Sequence, residues 1–308
     1  MGPSVVVIGN FDGVHPGHAE VLAEAQRLEP DLPLLVVTFW PHPLQVLRPE
    51  TAPMLLTGLE ERIERLSAAG ADRVEVVPFT HEFSTWPPER FVAEVLLPLN
   101  PARVVVGANF RFGHRAAGNV DTLAELAAGR FAVTALPLVR FNDEDTCSTL
   151  IRAALAAGEV GHAAEHLGRP FAFRGVVARG DQRGRVLGFP TANLPVPARH
   201  ACPADGVYAG WLTRRDHRGA HGEDLPHHAV PERWPAAISV GTNPTFDGVA
   251  RRVESYVLDR DDLELYDAPV QVEFISRLRG QVRYDSIDAL IAQMEVDVAL
   301  CRERLGLG

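Results

Sequence analysis

At 308 residues, 46% of them apolar and 23% charged, the chain has length for two domains of ordinary size, each burying its own core. A formal charge of -10 and the lack of any long Lys/Arg run exclude a nucleic-acid backbone as partner, although local Arg groups can still hold small anions. No apolar run approaches the roughly 18 residues that cross a bilayer, the first residues carry no signal-peptide pattern, and Cys147, Cys202 and Cys301 are too scattered for a disulfide framework or zinc cluster, so a cytoplasmic protein with reduced packing thiols is expected.

In chain order, the apolar run Ser4 to Ile8 predicts a strand, and Gly9-Asn10-Phe11-Asp12-Gly13-Val14-His15-Pro16-Gly17-His18 leads from it into a helical pattern. At such a junction backbone N–H groups and the positive end of the helix dipole face an incoming anion, so the turn is read as a phosphate site. His15 and His18 are three apart and direct both rings at one phosphate if they share the first turn. Leu34 to Phe39, Arg73 to Val77, Arg103 to Val106 and Phe131 to Leu136 predict further strands alternating with helices. That alternation is the pattern of a Rossmann-like parallel sheet in an α/β domain. Thr57 with Glu60 predicts a capping box for a helix to about Ala69, and Thr85, Pro87 and Pro88 open another near Glu89. The loop Gly107 to Gly113 follows a strand, as Gly9 to His18 does, and both therefore belong at the carboxyl edge where open parallel sheets bind ligands. Ser148 predicts the N-cap of a helix through Ala157.

After Gly168-Arg169-Pro170 the style changes, which divides the chain into domains 1–166 and 167–308. Phe171 to Ala178, Gly206 to Leu212, Ala236 to Val240, Arg252 to Leu258 and Val270 to Ile275 predict a mainly antiparallel β-barrel. Gly180, Gly184 and Gly188 are spaced four apart among Arg183 and Arg185, ahead of Phe189-Pro190-Thr191-Ala192-Asn193. Close backbone approach to phosphates is one reading of these glycines, and ordinary turns are the other. Thr213 to Pro235, with His217, His221, His227 and His228, reads as a solvated insert, because no second ligand set accompanies those histidines. A C-terminal helix follows the cap Ser286, and its stripe Ile287, Leu290, Ile291, Met294, Val298, Cys301 and Leu305 predicts core packing.

The first turn, with His-x-Gly-His between a strand and a helix, resembles the nucleotidylyltransferase superfamily. Thr38 to Pro43, Val106 to Gly113 and Ser148 to Arg152 look like its flavin-adenylating branch, while Phe173 to Val177, Gly180 to Arg185 and Leu187 to Leu194 look like riboflavin kinase. Along almost its whole length the chain is similar to the bifunctional riboflavin kinase/FAD synthetase family of bacteria. The resemblance implies phosphorylation of riboflavin to FMN in the second domain and adenylyl transfer from ATP to FMN in the first, giving FAD and pyrophosphate. Riboflavin, FMN and ATP are then the small-molecule partners, and Mg²⁺ is the cofactor.

For adenylyl transfer it implies charge stabilisation by His15, His18 and Arg152 and nucleotide binding by Gly9, Asn10, Phe11, Asp12, Gly17, Ser148 and Thr149. A capping role for Ser148 can coexist with that one. Flavin contact falls to Asn109, Phe110 and Phe112, the two rings flanking an isoalloxazine, with core packing as the alternative for the pair. For the kinase it implies nucleotide binding at Gly180, Arg183, Gly184, Gly188 and Pro190, and Mg²⁺ at Thr191 and Asn193, whose neutral oxygens suit a hard cation shared with phosphates. Glu254, within Arg252 to Asp259, is the implied base, a solvent-facing pleat position being the alternative, and Arg279 is the implied flavin contact. Three positions depart from the commonest family pattern: Cys147 replaces Ser, Asn109 stands where Asp is frequent, and Asp267 follows Tyr266 where Gly is usual, a change expected to alter only a turn.

Overall fold

The apolar runs of the first half pair into one parallel sheet, in a computed structural model that describes residues 2–137, 140–141, 144–145, 148–179, 188–216, 231–245 and 248–307. The chain forms two compact units, Met1–Ser148 and Thr149–Gly308. In the first, β1 (Ser4–Ile8) leads to α1 (Pro16–Leu28), β2 (Leu34–Trp40), the short α2 (Pro43–Leu47), α3 (Leu59–Ala68) and β3 (Arg73–Pro78). A short α4 (Pro88–Phe91), β4 (Pro101–Gly107), α5 (Val120–Ala127), β5 (Ala132–Leu136) and a small hairpin of β6 (Arg140–Phe141) with β7 (Glu144–Asp145) follow. The sheet order is β3-β2-β1-β4-β5. Val5, Val6 and Val7 of β1 are fully buried, as a central parallel strand covered on both faces must be. The chain winds from β1 outward to β3 and then returns to β4 on the other side of β1. The switch point therefore lies between β1 and β4, and Gly9 to His18 and Gly107 to Gly113 leave it side by side.

The second unit receives α6 (Ser148–Ala157, from Thr149 on) and α7 (Val160–Leu167) and is built on six antiparallel strands. These are β8 (Phe171–Val176), β9 (Thr191–Pro195), β10 (Gly206–Arg214), β11 (Arg233–Thr245), β12 (Gly248–Val257) and β13 (Pro269–Arg279), in the order β8-β13-β10-β11-β12-β9. The sheet curls until its two edges meet: an antiparallel bridge joins Ala178, just past β8, to Asn193 of β9, with the Ala178 N–H donating to the Asn193 carbonyl at 2.8 Å. Such curling needs close strand crossings, and a Cβ on Gly210 would stand 1.9 Å from the Glu273 carbonyl oxygen. Asp267 adopts φ 60 in the turn before β13, a conformation that glycine supplies most readily and that Asp tolerates through its short polar side chain. The terminal helix α8 (Ile287–Leu305) is capped by Ser286, whose Oγ accepts from the Ala289 N–H at 3.2 Å.

Several local expectations are corrected. Gly58, not Thr57, is the N-cap of α3, and the Thr57 hydroxyl serves Asp12 and Gly13 instead. Ser148 is the first residue of its helix, and its hydroxyl donates to the Asp12 carbonyl. The insert is narrower than Thr213 to Pro235, because Leu212, Thr213 and Trp211 pair with Trp234, Arg233 and Pro235 and so extend both strands into it. Residues 217–230, including the four histidines, lie outside the described residues, as do Cys147, Gly180, Arg183 and Gly184. The α8 stripe is only partly core: Cys301 is fully buried and its Sγ donates to the Ala236 carbonyl, whereas Ile287 is 62% exposed and Leu290, Met294 and Val298 line a cavity.

Two candidate active sites

The first site starts at the carboxyl end of β1. His15 is the N-cap of α1 in extended conformation, its side chain makes no capping bond, and Pro16 opens the helix. Such a helix N-terminus suits an incoming anion. The His15 and His18 rings stack at 3.7 Å between centroids, and the Phe11 ring meets His18 edge-on at 5.1 Å. The pair expected from spacing is thus assembled, and Gly17 is buried. Hydroxyls from separate elements hold the turn: Thr38 donates to the Asn10 carbonyl at 3.1 Å and Ser148 to the Asp12 carbonyl at 2.8 Å. The Asp12 carboxylate points inward, where it accepts from the Leu56 and Thr57 amides.

Beside this turn opens a cleft of about 1000 Å³, lined by Gly9, Asn10, Asn109, Phe110 and Phe112. Phe110 and Phe112 stack on one another with centroids 5.4 Å apart and planes at 14°. Rings that close leave no slot between them, so they form one wall instead of flanking a flat ligand. Phe39, within the Thr38 to Pro43 motif, supplies further aromatic lining, as do Phe83 and Trp86, which sequence reasoning did not single out. The density of aromatics from Phe79 to Phe91 was the available signal. Thr149 and Arg152 stand on α6 within the second compact unit.

The second site is a cavity of about 420 Å³ lined by Phe189, Thr191, Glu254, Tyr256 and Arg279 on the barrel side and by Leu290, Met294 and Val298 of α8. On the adjacent strands β9 and β12, Asn193 pairs with Glu254 and Thr191 with Tyr256. The Asn193 side-chain amide donates to the Thr191 carbonyl at 3.1 Å, which fixes the amide so that its own oxygen faces away from Thr191. Thr191 and Glu254 thus line the cavity together with the polar Ser239 and Gln281, and Asn193 stands opposite Glu254 on the adjacent strand. This donor set fits a hard cation shared with phosphate oxygens. Gly188, with φ 85, and Pro190 lead into β9. Arg279 is engaged by Asp297 of α8 through two short bonds, Nε to Oδ1 at 2.8 Å and Nη2 to Oδ2 at 2.6 Å. Gln293 adds a bond to the same carboxylate at 3.0 Å. Asp297, Tyr256 and Gln281 were not foreseen as parts of this cavity, because each becomes local only when α8 and the barrel strands meet.

Comparison with known proteins agrees over both units. The FAD synthetase family model matches residues 1–150 and the riboflavin kinase family model residues 167–305. The bifunctional riboflavin kinase/FMN adenylyltransferase of Listeria monocytogenes is 34% identical over 95% of this chain and 90% of its own. The protein of the same description from Escherichia coli K12 is 35% identical over 98% and 93%. A crystal structure described as a macrolide-efflux protein from Streptococcus pneumoniae matches with a TM-score of 0.83 and 31% identity over 97% of this chain and 94% of that one. That description is that protein's own, and among the described residues here no helix is long and apolar enough to cross a membrane. Matched by both family models in the order of its two units, and by full-length relatives above 30% identity, the chain belongs to the bifunctional riboflavin kinase/FMN adenylyltransferase family.

Proposed function

We infer that the chain makes flavin cofactors in two ATP-dependent steps: riboflavin and ATP give FMN and ADP in the second unit, and FMN and ATP give FAD and pyrophosphate in the first. The observation that supports the reading is the register of β9 on β12, which pairs Asn193 with Glu254 beside a cavity whose lining is polar at Thr191, Glu254 and Gln281 and apolar at Leu290, Met294 and Val298. A flat apolar ring with a polyhydroxyl tail has that division of character.

In the kinase step we assign Glu254 to accept the proton of the attacking hydroxyl. Thr191 and Asn193 would hold the divalent cation, taken here as Mg²⁺, which neutralises phosphate charge when bound. Arg279, paired with Asp297 of α8, lines the cavity, and we assign it to contact the flavin. In the adenylyl step an oxygen of the FMN phosphate displaces pyrophosphate from the α-phosphorus of ATP. His15, His18, Arg152 and the start of α1 would supply donors to the charge that develops, alongside a divalent cation, as a transfer without a covalent enzyme intermediate requires. The nucleotide roles of Asn10, Ser148 and Thr149, the charge-stabilising role of Arg152, and the roles of Gly180, Arg183 and Gly184 rest on the resemblance of their motifs. The division of labour at 166/167 and a cytoplasmic location, where ATP is at hand, belong to the same reading.

Incubating the purified chain with riboflavin, ATP and Mg²⁺ and separating the flavins by chromatography tests both steps. FAD should accumulate through FMN. Accumulation of FMN alone would overturn the adenylyl half, and unreacted riboflavin that persists while supplied FMN is converted would overturn the kinase half.

A further inference from the structure

The turn that carries His15 and His18 is strained. Phe11, Gly13 and Val14 have φ of 50, 89 and 41, and for a β-branched residue such as Val14 a positive φ is a steric outlier. Backbone of this kind persists only where its surroundings over-determine it, and it collects at functional sites. The surroundings here are a buried polar cluster. The Asp12 carboxylate, 2% exposed, accepts from the Leu56 N–H at 3.0 Å, the Thr57 N–H at 3.1 Å, the Thr57 hydroxyl at 3.3 Å and the Arg62 guanidinium at 3.3 Å. Arg62 is itself fully buried. The Thr57 Oγ also accepts from the Gly13 N–H at 3.1 Å.

We propose that Thr57 is a positioning residue for adenylyl transfer, and that Asp12, Thr57 and Arg62 form a latch that holds the phosphate turn in its strained form. Thr57 stands at the centre because one oxygen bonds both the Asp12 side chain and the next peptide in the turn. Directing the Gly13 N–H inward fixes the Asp12–Gly13 peptide, whose carbonyl accepts from the Ser148 hydroxyl, and from it Gly13 and Val14 deliver His15 to the N-cap of α1 and its ring to the stack with His18. A valine in place of Thr57 fills the same volume but can neither accept from Gly13 nor donate to Asp12. The buried Gly13 N–H would then lose the Thr57 acceptor, and rotation of that peptide to recover the lost bond moves His15. None of the three side chains needs to touch a reacting atom for this to matter. The assignment rests on the adenylyl-transfer reading of the first site.

Thr57→Val and Thr57→Ser in the full chain test it, with FMN adenylylation and riboflavin phosphorylation assayed on the same preparation and hydrogen exchange followed in the peptide containing Gly13. Thr57→Val should lower kcat for FAD formation about tenfold or more, the scale of one lost hydrogen bond of about 1.4 kcal/mol, with KM for FMN within about twofold because the flavin cleft is untouched. Exchange at Gly13 should rise, Thr57→Ser should keep both properties near wild type, and the kinase rate should be the same in all three proteins. A wild type that adenylates FMN while Thr57→Val does so at the same kcat overturns the latch alone. So does a loss that matches the fraction unfolded at the assay temperature, or a Thr57→Ser as slow as Thr57→Val. A wild type inert toward FMN overturns the reading of the site, and the positioning role with it.

Discussion

Glu254 and His18 serve different reactions, and substituting each should separate them. Glu254 sits on β12 opposite Asn193 and faces a cavity, so Glu254→Gln keeps the shape and most hydrogen bonding while removing the carboxylate that would accept a proton. Riboflavin phosphorylation should fall by about 100-fold or more, while supplied FMN is still converted to FAD. His18 belongs to the other unit, stacked on His15 beside the start of α1. His18→Ala should cost about 100-fold in FAD formation, the scale of one lost transition-state donor, with FMN formation near wild type. Assaying both products for both variants gives a two-by-two result, and equal losses of both activities in either variant would defeat the separate assignments. The sequence exposed these residues unequally. His15 and His18 lie three apart in one turn and were legible as a pair. Glu254 was ambiguous by strand periodicity alone, since the face it occupies depends on the register with β9.

Among the elements, β9 shows why part of the barrel could not be read locally. Thr191 to Pro195 has one β-branched residue and ends in proline, so it is a poor strand by composition. It becomes a strand because β12 supplies a partner along its length. The α8 stripe erred the other way: helical periodicity reports an apolar face but not whether protein or a cavity lies against it, and here Leu290 and Met294 face the cavity. The barrel also carries a pH dependence that no periodicity contains. Burial pushes the Cys202 thiol up to about 12 and the Cys301 thiol up to about 11, and raises the Tyr208 and Tyr256 hydroxyls above their ordinary range. In the unfolded chain the thiols ionise near 9.0, whereas in the folded barrel they stay protonated well above it. The stabilisation is therefore complete below pH 9.0 and is lost as pH rises toward about 11 and 12. The melting temperature of the second unit should decline steadily through that window, and Cys301→Ala, which removes one of the titrating groups, should flatten the decline. A melting temperature unchanged up to the pH at which Cys301 ionises would show that these groups do not keep their protons in the folded state.

At the scale of the whole chain, two boundaries compete. The sequence pattern changes near 166/167, whereas packing divides the chain between Ser148 and Thr149. The difference is α7 with most of α6, which follow the α/β pattern in sequence order but lie against the barrel. Val160, Ala163, His166 and Leu167 are buried there, and Leu155 accepts from the Ala204 N–H at 2.9 Å while Ala157 accepts from Arg277 at 3.2 Å. Helical periodicity fixes which face of α7 is apolar but not which sheet receives it, so the sequence could not decide. Fragments can. A chain of residues 149–308 and one of residues 167–308 both contain Thr191, Asn193, Glu254 and Arg279, so at low temperature both should phosphorylate riboflavin and neither should make FAD. Burying each medium apolar side chain is worth about 1.5–3 kcal/mol, and several such contacts are absent from the shorter fragment. Its melting temperature should therefore lie about 10 °C or more below that of the longer one. Equal melting temperatures would mean that α6 and α7 add nothing to the barrel and that 166/167 is the physical as well as the sequence boundary. FAD formation by the longer fragment alone would contradict an adenylyl site built on the turn after β1.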